Sequence, residues 1–349
     1  MDLARTLLGV LPGELEAWLA SRGERPFRAR QILRWVHGRG IVDPAEMTDL
    51  PAATRELLRE QVPASGASLA SWSRSADGTR KLTVALADRN VVESVLIPDE
   101  GKLTQCVSTQ VGCAYGCAFC RSGSRGLVRG LSADEILAQI QLGRSRWDPG
   151  ERLSNVVLMG SGEPLANYVE TALSLTLMTS ERAMDLSSRR VTVSTVGLPA
   201  GIARLGRDFG GAIGLAVSLH GPDDATRRAL VRSRRAPRLD AVVEALRAYP
   251  LPHRRRITVE YVLAAGVNDR PEQAAGLARL LRGLRVKVNL IPLNAHGLTD
   301  LEAPSPDAVE AFRGELVGRN LTALVRKERG VDIEAACGQL AAWAVASDG

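Results

Sequence analysis

Two hydrophobic rhythms divide the chain. Up to about residue 63 the apolar positions recur every three to four residues. "GELEAWLASRG", "PFRARQILRWVHGRG" and "DPAEMTDLPAATRELLREQV" each carry an apolar stripe at helical spacing and meet Gly or Pro near an end. The leading "MDLARTLLGVLPGELEAWL" reads as helix as well. In "TRKLTVALADRNVVESVLIPD" the period shortens to two, which predicts a pair of strands around the turn Asp88-Arg89-Asn90. From Gln105 onward come six β-rich runs: "QCVSTQVG", "NVVLMGSG", "RRVTVSTVG", "IGLAVSLHG", "RITVEYVLAAG" and "VKVNLIPLN". Amphipathic stretches such as "SADEILAQIQLGRSRW" and "EQAAGLARLLRGL" separate them. Strand–helix alternation predicts a parallel sheet, because each crossover helix must pack back on the strands it joins. Eight units close a full barrel, so six predict an α/β fold with a partial, TIM-like (β/α)6 barrel whose chemistry sits at the C-terminal strand ends. The expected domains are a helical accessory domain at 1–63, a β-hairpin linker at 64–104, and the barrel with a C-terminal segment at 105–349.

Composition narrows the class. The chain has 349 residues, 45% of them hydrophobic, enough for one large core and an appendage. No apolar run approaches the roughly 20 residues that span a bilayer, so no membrane partner is expected. The first residues show neither a basic leader nor a small-residue cleavage site, which predicts a cytoplasmic protein with reduced thiols. A net charge of +6 is modest, but "RRALVRSRRAPR" (Arg227 to Arg238) concentrates six arginines in twelve residues, and "HRRR" follows at His253. Such a run is either a solvated face or a grip on phosphate, for which the guanidinium fork is suited.

Sulfur is scarce and unevenly placed. Of five cysteines, Cys113, Cys117 and Cys120 fall within "VGCAYGCAFCRSG", directly after the first barrel strand. Structural cysteines seldom come three to a loop. Zinc usually takes four ligands as two C-x2-C pairs, and a second pair is missing. A 4Fe-4S cluster held by three thiolates leaves one iron open to chelate a small molecule such as S-adenosyl-L-methionine, into whose sulfonium it can deliver an electron. Polar residues also gather at the other strand ends: Gly162 and Glu163 after the second, Ser194 on the third, Ser218, Leu219 and His220 on the fourth, Asn294 on the sixth. Taken alone, Cys106 and Cys337 read as unrelated core cysteines and His220, like His37, His253 and His296, as a structural residue.

The motifs "QILRWVHGRG", "EMTDLP", "VESVLIP", "CVSTQVGCAYGCAFC", "LMGSGEPLAN", "RRVTVSTVG", "AVSLHGPDDATRRALV", "TVEYVLAAGVND", "KVNLIPLN" and "VRKERGVDIEAACGQLA" resemble the radical-SAM superfamily, and within it the RlmN/Cfr family of RNA methyltransferases. The resemblance covers nearly the whole chain. It implies methylation of adenosine carbon 2 in 23S ribosomal RNA, with transfer RNA a further candidate substrate. Carbon-8 methylation is the alternative within the family, and a non-catalytic, metal-stabilised RNA-binding protein the alternative outside it. Two S-adenosylmethionine molecules per turnover are implied: one methylates Cys337, the other yields the radical that activates that methyl group. The methylene adds to the base, Glu93 takes the ring proton, and Cys106 attacks the Cys337 sulfur, leaving a disulfide. Cys113, Cys117 and Cys120 are the implied metal ligands. Gly162, Glu163, Ser194, Ser218, Leu219, His220 and Asn294 are the implied cofactor contacts. The helical module and the arginine run would bind RNA, an electron donor such as flavodoxin or ferredoxin is expected, and the protein is expected to be a monomer. The chain departs from the family at Cys120-Arg121-Ser122-Gly123, where Cys-Ala-Thr-Gly is usual, and at Ser161, Gly221 and Arg232.

Overall fold

The computed structural model describes residues 3–124, 126–294 and 299–340; His296 lies outside them. Twelve strands form among the described residues: β1 (Ser68–Arg74), β2 (Arg80–Ala85), β3 (Val91–Asp99), β4 (Lys102–Cys106), β5 (Gln110–Gly112), β6 (Leu127–Gly130), β7 (Arg152–Leu158), β8 (Val191–Thr195), β9 (Gly214–Ser218), β10 (Ile257–Leu263), β11 (Val286–Pro292) and β12 (Ala323–Val325). Ten make one sheet in the order β1-β2-β3-β4-β7-β8-β9-β10-β11-β12, and β5 pairs with β6. From β4 onward the sheet is parallel, and β1 to β4 are antiparallel neighbours. The partial α/β barrel is borne out, with β4 and β7 to β11 as its six strands.

Period-two alternation explains how the barrel divides its residues. Val191 and Val193, Leu215 and Val217, Val259 and Tyr261, and Val288 and Leu290 are buried in the core beneath the crossover helices. The residues between them, among them Ser194, Ser218, Glu260, Val262 and Ile291, line the inside of the barrel. Fully burying one of these aliphatic side chains is worth about 1.5–3 kcal/mol, so register is strongly specified.

Four features differ from the sequence-based expectation. β1, "SLASWSR", has no buried position to create an alternating signal; its pairing with β2 is made by the backbone, across a bulge. The short β12 adds a seventh parallel strand beside β11. The "QVG" end of the first run leaves the barrel to pair with β6. The leading helix starts only at Pro12, whose ring suits a first helical turn.

The N-terminal helices bury Leu15, Trp18, Ile32, Leu33, Val36 and Leu58 together with Ala138 of the barrel helix Ala133–Arg144. Gln141 donates to the Val36 carbonyl, Arg144 to those of His37 and Gly38, and Arg5 to Glu170 at 2.8 and 2.9 Å. His37 is buried within this seam, and neither ring nitrogen has a partner among the described residues. Burial, helped by the Arg144 charge, lowers its pKa to about 4. The unfolded chain takes that proton near pH 6.5, so between these values unfolding is proton-linked. The stability this group confers is whole above pH 6.5 and drains as pH falls. His37→Phe is expected to lose less stability than the parent on acidification from pH 7.5 to 4.5, by about 2–3 kcal/mol in urea unfolding.

Candidate active site

The site residues expected on the barrel strands, and on the loops that follow them, sit at the C-terminal end of the barrel. Cys106 ends β4, Ser194 is in β8, Ser218 ends β9 and Asn294 follows β11. An open cavity is lined by Cys113, Cys117 and Cys120, and also by Gly162, Glu163, Ser194, Ser218, His220, Asn294 and Cys337. A second, smaller cavity adjoins it and is lined by Cys106, Cys120, Asn294, Arg326 and Cys337, with Val95 and Ile97. Leu219 lines neither cavity: its side chain is buried in the barrel core.

The cysteine loop is shaped by backbone constraints. Gly112 has φ +74, and a Cβ there would lie 2.0 Å from the Gly126 carbonyl oxygen, so only glycine fits. Cys113 donates its N–H to that same oxygen at 3.0 Å. Backbone N–H groups of Tyr115 and Ala114 point at the Cys113 sulfur, and those of Gly123 and Ser122 at the Cys120 sulfur. Burial pushes the Cys113 thiol up to about 12 and raises Cys117 and Cys120 as well. Left alone, such thiols keep their protons. Converging N–H donors and a buried, sulfur-only set suit thiolates bound to a cationic metal centre. Among the described residues, no three His, Cys, Asp or Glu side chains close on a single metal-ion position. The donor set fits a three-thiolate cluster.

The remaining polar lining suits an amino-acid cofactor. The Glu163 oxygens accept from the N–H groups of Val196 at 2.7 Å and Leu165 at 2.9 Å. Burial nevertheless raises this carboxyl to about 7, so an ammonium beside it would favour ionisation. The Oδ1 of Asn294 is buried in the lining without a donor among the described residues, while its Nδ2 donates to the Cys337 carbonyl at 3.2 Å. His220 is buried with φ +59. Its Nδ1 accepts from the Val262 N–H at 3.0 Å, and its ring meets Phe119 edge-on at 4.7 Å. Burial first, then the Arg227 charge, lowers its pKa to about 3, so it stays neutral and shapes the wall.

The two outlying cysteines come together through the tertiary fold. Cys106 packs with Val95, Ala335 and Leu340. Burial, then the neighbouring Cys337, pushes its thiol up to about 12, against the pull of Arg326. Glu93 sits on β3 two residues before Val95, the partner of Cys106, and so lies beyond the end of β4 toward the mouth. It is outside both cavity linings, buried, and ion-paired with Lys81 at 3.2 Å.

Arg326 and Lys81 did not stand out in the sequence. Arg326 lines both cavities, and its charge is favoured chiefly by Cys337, against burial, then by Glu260 and Cys106. Its signal was present in "VRKERGVDIEAACGQLA", eleven positions before Cys337. Arg227 moves the other way: it is buried and donates to the Val196 carbonyl, so it supports the Glu163 loop and leaves the exposed arginine run.

Residues 6–63 match the sequence profile of a ribosomal RNA large subunit methyltransferase N-terminal domain, and residues 107–278 that of the radical SAM superfamily. A dual-specificity RNA methyltransferase RlmN of Sorangium cellulosum is 49% identical over 364 aligned residues, covering 95% of this chain and 94% of the relative. The protein of the same description from Anaeromyxobacter dehalogenans is 49% identical, over 95% of this chain and 91% of its own length. Among solved structures, a radical SAM methyltransferase from Sphaerobacter thermophilus superposes with a TM-score of 0.92 at 41% identity, covering 96% of this chain and 99% of its own.

Proposed function

The chain belongs to the RlmN family of radical SAM RNA methyltransferases, and from that premise we propose that it methylates carbon 2 of adenosine in 23S ribosomal RNA, with transfer RNA as a second substrate, through a methyl group carried on Cys337. The observation that carries this reading is the position of Cys337. It lines the cavity of the three clustered thiols and also the adjoining one that holds Cys106. A ring carbon between two nitrogens is electron-poor and does not attack a methyl sulfonium, so a carrier thiol between cofactor and base answers a chemical need.

Cys113, Cys117 and Cys120 would hold the 4Fe-4S cluster, and Gly162, Glu163, Ser194, Ser218 and Asn294 the S-adenosylmethionine. Together these groups supply the methyl group and its one-electron activation. The chain's own residues do the rest. Cys337 holds the methylene as a thioether to the base. Glu93 accepts the ring proton, with Lys81 orienting its carboxylate, and the unpaired electron that addition leaves on the ring would return to the cluster. Cys106, as thiolate, forms a bond to the Cys337 sulfur. The sulfur–methylene bond breaks with its electron pair on carbon, which takes a proton to become the methyl group. Arg326 stabilises the negative charge that both sulfurs must pass through.

Exposed arginines flank this mouth. Val231 bridges to Cys117, Ala118 donates to the Leu230 carbonyl and Ser233 to that of Tyr115, so the arginine run is pinned to the cysteine loop. Arg232, Arg234 and Arg235 are exposed there, and none has a carboxylate within ion-pair distance among the described residues. Replacing the three with alanine is expected to lower RNA affinity and reduce the slope of log affinity against log salt by about 2. An unchanged slope would assign them to solvated surface. Nucleoside mass spectrometry of ribosomal and transfer RNA from cells lacking the protein tests the function itself. Loss of 2-methyladenosine supports the proposal, and loss of 8-methyladenosine in its place rejects it.

A further inference from the structure

Residues 330–340 have little regular structure, a short turn of 3-10 helix at Val331–Ile333 apart. Cys337 is therefore positioned by what this segment touches. Upstream it is tied to the β1–β2 turn: Asp332 accepts from the Ser75 hydroxyl at 2.5 Å and the Ala76 N–H at 3.1 Å, and Gly330 donates to Asp77 at 3.1 Å. Downstream it lies on the cysteine loop. Arg121 donates its N–H to the Gly338 carbonyl at 2.8 Å, and Ser122 its hydroxyl to the Leu340 carbonyl at 2.7 Å. Gly338, at φ +87, approaches Phe119 so closely that a Cβ would lie 2.4 Å from its carbonyl oxygen.

One further contact joins the two halves. The Arg121 guanidinium meets the Glu334 carboxylate at 2.5 Å. Arg121 directly follows Cys120, one of the three clustered thiols. Glu334 is itself held in a left-handed turn, φ +51, and its carbonyl lies 3.4 Å from Lys81, the partner of Glu93. The geometry points to Arg121 and Glu334 as a latch that fastens the Cys337 segment to the cysteine loop, making Arg121 a positioning residue for the methyl carrier. Backbone contacts on this segment cannot be exchanged for water one at a time. The ion pair can, because the Glu334 side chain is 60% exposed. The latch itself stands on these contacts; its consequence for turnover rests on the carrier role proposed for Cys337.

Hydrogen exchange of the full-length, cluster-loaded protein tests it. Amides of residues 330–340 are expected to exchange about three- to fivefold faster in Arg121→Ala and in Glu334→Ala, a range set by a half-screened pair. Arg121→Lys should recover most of the protection. The double variant should be no faster than either single one, because both remove the same interaction. Turnover in Arg121→Ala should fall with KM for RNA unchanged, since no RNA contact is removed. Unchanged exchange in the single variants or additive effects in the double would overturn the latch, and full turnover despite faster exchange would overturn the positioning role of Arg121. Absence of RNA methylation by the parent protein would instead overturn the carrier reading and leave the exchange result standing.

Discussion

Replacing Cys106 with alanine is expected to leave an enzyme that begins its reaction and cannot finish it. RNA should accumulate as a covalent adduct on Cys337, stable to denaturation and released as a nucleotide-modified peptide on digestion. Multiple turnover should fall by more than about a thousandfold, the scale seen when one member of a cooperating catalytic set is removed. The geometry is the reason. Cys106 shares a cavity with Cys337 and feels its charge. Burial and the neighbouring Cys337 hold the Cys106 thiol in its protonated form, and Arg326 pulls toward the thiolate that must attack. Cys106→Ala/Cys337→Ala should form no adduct, which ties the bond to Cys337. Release of free methylated RNA by Cys106→Ala at the parent rate would sink the assignment.

The second large effect concerns the metal centre. Anaerobically reconstituted protein is expected to hold about four iron and four sulfide per chain. Cys113→Ala, Cys117→Ala and Cys120→Ala should each lose the cluster, and with it all reductive cleavage of S-adenosylmethionine. Cys337→Ala decides between iron and zinc. Cys337 also lines the three-thiol cavity, so a structural zinc could recruit it as a fourth sulfur. A cluster would survive Cys337→Ala at full iron content and still cleave S-adenosylmethionine. A four-sulfur zinc site would lose its metal in that variant, and the carrier role would go with it.

Much of this was legible in one dimension because the signals are local. The cluster spacing spans eight residues, the strand rhythm repeats within each unit, and glycines mark the turns where backbone crowds backbone. Gly112, against the Gly126 carbonyl, shows a positional need that sequence reading can locate without knowing its partner. β1 was invisible because its side chains are not buried and its pairing is a backbone affair. Arg227 looked like its neighbours in a basic run, yet burial under the Glu163 loop separates it from them.

The sequence by itself determined the six-unit α/β barrel, the three-thiol loop and the polar ends of the strands, because helical and strand periodicity and ligand spacing are set by neighbouring residues. Tertiary structure alone decided which distant groups meet. It brought Cys106 beside Cys337 across 231 positions, set Arg326 in the same cavity wall, paired Lys81 with Glu93, and joined Arg121 to Glu334. Those encounters follow from how strands close and where an irregular C-terminal segment is fastened. Loop closure over such separations leaves no local trace, since its entropy depends on length and its reward on packing.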